Sequence, residues 1–318
     1  MSAGTQTGRA RIVRGVLMLL FGIFCVSFLV RQLLAKREQI LQAFDLGWGA
    51  VLVLALMMFA SHLQRTIEFT FMLRRLDVQE PALDGFWLTG VALLLNYLPF
   101  NAGSVVRAMV LRRQHDLPYA LYLSALMVGA VVNGSISALA GLIATAVETG
   151  GDPKALPLYV IFGGLSVAGA FAFRPPKFLI PSGSGLVARQ LRRLTEGIEV
   201  IRGNGSGILV LAAVTVTKVV SNAVRMWICF GAFGLDVSLL DAVLLGSATL
   251  VMSLVNLTPG NLGVREMVLG GVSTILGCPP ELGMAAASLD RAILFAYTLV
   301  LGVPGLYMIA RRRKAEPA

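Results

Sequence analysis

Four residues of this chain recur at a single spacing. Asn96, Pro99, Asn101 and Gly103 return as Asn256, Pro259, Asn261 and Gly263, each 160 positions later, in the shared pattern NxxPxNxG. A cation follows each copy: Arg107 after the first, and Arg265, next to Glu266, after the second. These residue types describe a broken helix that meets an anion. Proline lacks the N–H of the helical ladder, and glycine lets the chain turn or lets another backbone or a ligand come close. Asn101 and Asn261 suit the N-caps of helices that restart after the break. The N-terminus of such a helix is electropositive and carries free N–H groups, which makes it a ready site for phosphate. Asp290 and Arg291 lie about 15 Å into the last apolar stretch at 1.5 Å per residue. The expected substrate-binding set is therefore Asn96, Pro99, Asn101, Gly103, Arg107, Asn256, Pro259, Asn261, Gly263, Arg265, Glu266, Asp290 and Arg291. His62, Arg65 and Glu68 share one helical face, and Lys218, Asn222 and Arg225 share another, as secondary candidates. The competing reading makes these charges helix glue, with the arginines paired to Glu266 or Asp290 and Glu266 paired to Arg265 or Arg291. At this stage both stand.

The elements that must position these groups follow from the solvent. The 318 residues are 56% hydrophobic and 14% charged, and mean hydropathy is +0.78, the composition of a polytopic membrane protein. A bilayer core of about 30 Å needs roughly 20 apolar residues in helix. Residues 16–35, 49–73, 117–147, 156–173, 208–233 and 282–310 meet that length as six full spans. Residues 83–98 and 239–257 are apolar too, but each runs into one copy of the motif and resumes as another helix. They are expected to be re-entrant helical hairpins. Arg9, Arg11 and Arg14 precede an apolar run without a small-residue cleavage site, so an uncleaved first span is expected.

Lysine and arginine mark the cytoplasmic side. With the N-terminus inside and both interrupted segments returning to the side they entered, 17 basic residues face inward and four outward, and six of the 27 lie at membrane depth. This places the 112–118 loop in the cytoplasm, the 277–281 loop outside, and both termini in the cytoplasm of a plasma (inner) membrane protein. Three crossings separate the two hairpins, so the halves are inverted. The expected fold is an all-α polytopic membrane protein, a single domain over 1–318. Its first inverted half is 10–173, a basic amphipathic cytoplasmic connector covers 174–207, and the second half is 208–312. Inverted repeats with discontinuous helices near the midplane are the architecture of alternating-access transporters.

The chain resembles, over residues 10–312, the membrane-embedded domain of the lysylphosphatidylglycerol synthase/flippase family. The likeness rests on 99-PFNAGSVVR-107, 259-PGNLGVRE-266 and 290-DR-291. It implies a lipid flippase fold in which an anionic or modified lipid head group crosses through a central cavity. Two departures are visible. Ser104 follows Gly103 where the family pattern has Glu, and the span after Leu117 lacks a Glu-Arg pair, which implies a less charged or differently charged cargo. With residues 311–318 alone following the last span, the family's soluble aminoacyl-transferase domain is not expected in this sequence.

Catalysis is not expected. The stretch 181-PSGSG-185 superficially resembles a lipid-phosphatase signature, but that chemistry needs a nucleophilic histidine, and His62 and His115 are both remote in sequence. The three cysteines have neither paired nor metal-like spacing, and no cofactor or metal is expected. Nucleic acid is excluded because the net charge of +10 is distributed as topology demands, without an aromatic platform. The expected function is a lipid transporter. Its partner is a membrane lipid (an anionic phospholipid, a polyprenyl-linked lipid or a hopanoid), and a homodimer is compatible with the sequence. The alternative is a small-solute or ion transporter on the same architecture.

Overall fold

A computed structural model describes residues 47–98, 101–173, 199, 205–254, 259–261 and 263–315, and all the regular structure among them is helical. In chain order the α-helices are α1 (Trp48–Arg75), α2 (Ala82–Leu95), α3 (Ala102–His115), α4 (Tyr119–Thr149), α5 (Leu156–Phe173), α6 (Gly205–Gly231), α7 (Leu239–Met252), α8 (Val264–Ile275) and α9 (Pro280–Ala315). Short 3-10 turns at Pro153–Ala155 and Pro259–Asn261 join α4 to α5 and precede α8. The expected first span at 16–35, most of the 174–207 connector, Pro99 and Asn256 lie outside the described residues.

Among the described residues five helices, α1, α4, α5, α6 and α9, are long and apolar enough to cross a membrane. They coincide with the other five expected spans. Helix is the natural choice in hydrocarbon, because it satisfies every backbone N–H and C=O within the segment. Polarity is inverted relative to a water-soluble protein: Leu52, Ile67, Leu139, Ile143, Val160 and Val216 are exposed, while His62, Glu68, Lys218, Arg225 and Asp290 are buried. That distribution suits an apolar solvent outside and a polar interior.

α2 and α7 are each 14 residues long, about 21 Å at 1.5 Å per residue. Neither crosses a 30 Å core unaided. The start of α7 is well fixed, because Ser238 Oγ accepts from the Asp241 N–H at 3.0 Å and the Asp241 carboxylate accepts from the Ser238 N–H at 2.9 Å, a reciprocal capping box. α2 packs along α9, α7 lies between α4 and α6, and α1 packs on α6. The α2–α9 contact is close because Gly302 faces it. A Cβ there would sit 2.6 Å from Leu94 Cβ and 3.2 Å from the Gly90 carbonyl. Small residues drive such approaches between membrane helices, where van der Waals contact replaces the missing hydrophobic force.

Candidate functional site

The described residues of the two motif copies lie at the breaks after α2 and α7. Asn101 (φ 50°) and Asn261 (φ 54°) both adopt the left-handed conformation, which asparagine tolerates better than most residues. The expected N-cap position holds for Asn101 and is overturned for Asn261. Asn101 occupies the position before α3, but its side chain makes no capping hydrogen bond. Asn261 does not cap α8 at all. Its amide donates backwards to the Met252 carbonyl at 2.7 Å, tying the break to the end of α7. The residue preceding α8 is Gly263 (φ 82°), whose N–H is accepted by Glu266 at 2.9 Å. In the first copy, Asn96 ends α2 with its Oδ1 buried and unpartnered among the described residues. Gly103 lies against the last turns of α2, and Pro259 opens the 3-10 turn before α8.

The charges at membrane depth form three groups. In the first, Asp290 of α9 is fully buried between two arginines. Arg225 of α6 donates to it through Nε at 2.8 Å and through Nη2 at 2.6 and 2.7 Å, and Arg265 of α8 donates from the other side. In the second group Arg291 Nε pairs with Glu266 at 3.0 Å, and Arg291 Nη2 donates to the Asn261 carbonyl at 2.8 Å. One side chain thereby links α9, the 3-10 turn and the start of α8. In the third, Lys218 of α6 pairs with Glu68 of α1. Asn133 of α4 closes this group: its amide donates to Glu68 at 2.5 Å and its Oδ1 accepts from Lys218 at 3.2 Å and Thr215 at 2.8 Å. The first and third groups join helices distant in sequence, the second joins the consecutive α8 and α9, and each charge in them has an opposite charge or a fixed dipole, as burial in low dielectric requires.

Arg107 and Arg65 differ. Among the described residues neither has a carboxylate within ion-pair distance. Arg107 instead stacks over the Phe69 ring at 4.2 Å, and Arg65 lies within electrostatic reach of Glu68, Arg225 and Arg107. The two motif arginines are therefore not equivalent: Arg265 is held by Asp290, and Arg107 is not held by an acid. Asn133, Thr215 and Phe69 went unremarked as site residues in the sequence. Asn133 had a signal, being an isolated amide in the middle of an apolar span, whereas Phe69 had none.

A helical bundle with lipid-exposed apolar faces and a charged, hydrogen-bonded interior defines an integral membrane protein with a polar core. The chain belongs to the family described as "Lysylphosphatidylglycerol synthase TM region", whose model matches residues 15–302. Among curated proteins it is 26% identical to "Glycosyltransferase AglD" of Haloferax volcanii, over 93% of this chain and 54% of that protein. Two proteins of Methanothermobacter thermautotrophicus named "UPF0104 membrane protein" are 31% identical over 26% of this chain and 24% of theirs, and 25% identical over 35% of each. The chain spans about half the length, or less, of these curated relatives. No solved structure matches it.

Proposed function

We propose that this protein is a non-enzymatic lipid transporter, a flippase that moves a phosphate-bearing or modified lipid head group across the plasma (inner) membrane through a polar centre. One observation carries the reading. Among the described residues, six interior cations, Arg65, Arg107, Lys218, Arg225, Arg265 and Arg291, face three carboxylates, Glu68, Glu266 and Asp290. Ionisable residues at membrane depth are costly and line functional pathways by default. An excess of buried positive charge is costlier still unless an anion completes it.

An inverted duplication with re-entrant hairpins supports the same reading. A long helix, a 14-residue helix, a third helix of 14 or 12 residues and another long helix occur in that order as α1–α4 and again as α6–α9. α2 packs on the long helix that ends the other half, α9, and α7 likewise packs on α4. Even the polar ties correspond, since Glu68 bonds Asn133 within the first half and Arg225 bonds Asp290 within the second, both partners 157 residues further on. On this arrangement both termini are cytoplasmic.

Two measurements test the proposal. In proteoliposomes carrying fluorescent phospholipid in both leaflets, the protein should raise the fraction that a membrane-impermeant reductant quenches from about half towards completeness. Rates equal to those of protein-free vesicles would reject the flippase reading. In spheroplasts, single cysteines in the 112–118 loop should react with impermeant maleimide only after permeabilisation, and those in the 277–281 loop before it. Labelling of both loops from one side would reject the inverted arrangement.

A further inference from the structure

The geometry points to a binding site for a dianionic phosphate, a monoester or the end of a diphosphate, built by Arg65, Arg107, His62 and Tyr122 at the meeting of α1, α3 and α4. It rests on the flippase reading and names the class of head group. His62, Arg65 and Phe69 stand on one face of α1 at spacings of three and four. Arg107 lies over the Phe69 ring, with ring centroid and guanidinium carbon 4.2 Å apart. A stacked guanidinium keeps its N–H edge free in the plane, the edge that takes phosphate oxygens two at a time.

Around this edge are polar atoms for which the described residues supply no partner. Arg107 Nε and His62 Nδ1 are buried and without a partner of their own, and His62 and Tyr122 are only 1% and 4% exposed. The Tyr122 oxygen lies against the Arg107 guanidinium, whose N–H it accepts, so its own O–H is left to donate. His62 lies within electrostatic reach of both Arg107 and Arg65. His62 Nε2 faces the Phe86 carbonyl at 3.2 Å. A carbonyl only accepts, so Nε2 carries the hydrogen, and on the neutral ring Nδ1 is left to accept from a head-group hydroxyl beside the phosphate.

The charge decides the ligand class. Glu68, the acid nearest in sequence to Arg65, is already engaged by Lys218 and Asn133, so Arg65 and Arg107 together present two positive charges with no anion of their own among the described residues. A phosphodiester brings one negative charge and leaves one partly buried cation unmatched. A terminal phosphate brings up to two, and its three free oxygens can meet both guanidinium edges and the tyrosine hydroxyl.

The experiment measures binding to the full chain in detergent, with three probes: dioctanoyl phosphatidate, dioctanoyl phosphatidylglycerol and inorganic phosphate. Phosphatidate is expected to bind at least tenfold more tightly than phosphatidylglycerol. Arg65→Gln and Arg107→Gln should each weaken phosphatidate about tenfold or more, the loss of one charge-assisted hydrogen bond, and Arg107→Lys should recover part of it. If the glutamine variants fail to fold, Tyr122→Phe keeps the ring and should still weaken phosphatidate severalfold. Equal affinity for monoester and diester, or unchanged affinity in Tyr122→Phe and the arginine variants, would overturn the site. Inorganic phosphate binding as tightly as phosphatidate, with the same sensitivity to the variants, upholds the site and assigns it to a water-soluble anion. Variant-sensitive phosphatidate binding without lipid movement in proteoliposomes rejects the flippase reading alone. Lipid movement with variant-insensitive binding rejects the site alone.

Discussion

Replacing Asp290 with asparagine should destabilise the detergent-solubilised protein by about 3–5 kcal/mol, the cost of removing one partner from a buried ion group. Asp290 is fully buried and is the shared counter-ion of Arg225 and Arg265. Asparagine fits the same space but leaves two guanidinium groups in low dielectric with no compensating charge. The two arginines should respond unequally. Arg225 reaches Asp290 through three hydrogen bonds and has Asn222 Oδ1 at 3.4 Å as a further neighbour. Arg265 reaches it through one, and its Nε is unpartnered among the described residues. Arg225→Gln should therefore lower the thermal midpoint more than Arg265→Gln, and adding Arg265→Gln to Asp290→Asn should restore part of the loss by removing one stranded charge. A change below about 1 kcal/mol for Asp290→Asn, the scale of an exposed pair, would mean that water reaches this group and that its burial is not what holds α6, α8 and α9 together.

Gly103→Ala is expected to be nearly as damaging, for a steric reason. The added methyl would fall well inside van der Waals contact with the Ala92 carbonyl oxygen, 2.7 Å from its carbon and 2.5 Å from Asn96 Oδ1. That carbonyl accepts the Asn96 N–H at 3.0 Å in the last turn of α2. It cannot retreat without opening the turn. Overpacking against backbone costs about 1–3 kcal/mol, and this contact belongs at the upper end because no flexible side chain can absorb it. Gly263→Ala, the equivalent change in the second copy, meets nothing within 4 Å, and its cost comes only from a positive φ of 82°, about 1–2 kcal/mol. Thermal melts of both variants should rank Gly103→Ala as the less stable. The reverse order would show that α2 and α3 are not in contact at this glycine.

Hydrophobic length and breakage were determined by the sequence alone. The span expected at 156–173 is α5, and the two interrupted segments end as α2 and α7 at the motifs, because a bilayer imposes one helix length and proline with glycine interrupts it locally. The same holds for the family, whose matched region runs from 15 to 302, close to the 10–312 of the resemblance. The asparagines were recognised as marking the restart of a helix, but their conformation was not. Cap and left-handed turn draw on the same residue, and the choice depends on whether a carbonyl such as that of Met252 lies within reach. Partnership among charges was decided only by tertiary structure. From the sequence Arg265 could equally have joined Glu266 beside it. The packing of α8 against α9 instead gives Glu266 to Arg291 and Arg265 to Asp290, and Lys218 finds Glu68 across 150 residues. Ion pairing needs side chains within about 4 Å, and that distance is set by which helices lie side by side, a property of the assembled bundle that local spacing does not encode. That Arg65 and Arg107 lack an acid of their own among the described residues is likewise a result of packing: Glu68, Glu266 and Asp290 are all paired with other cations.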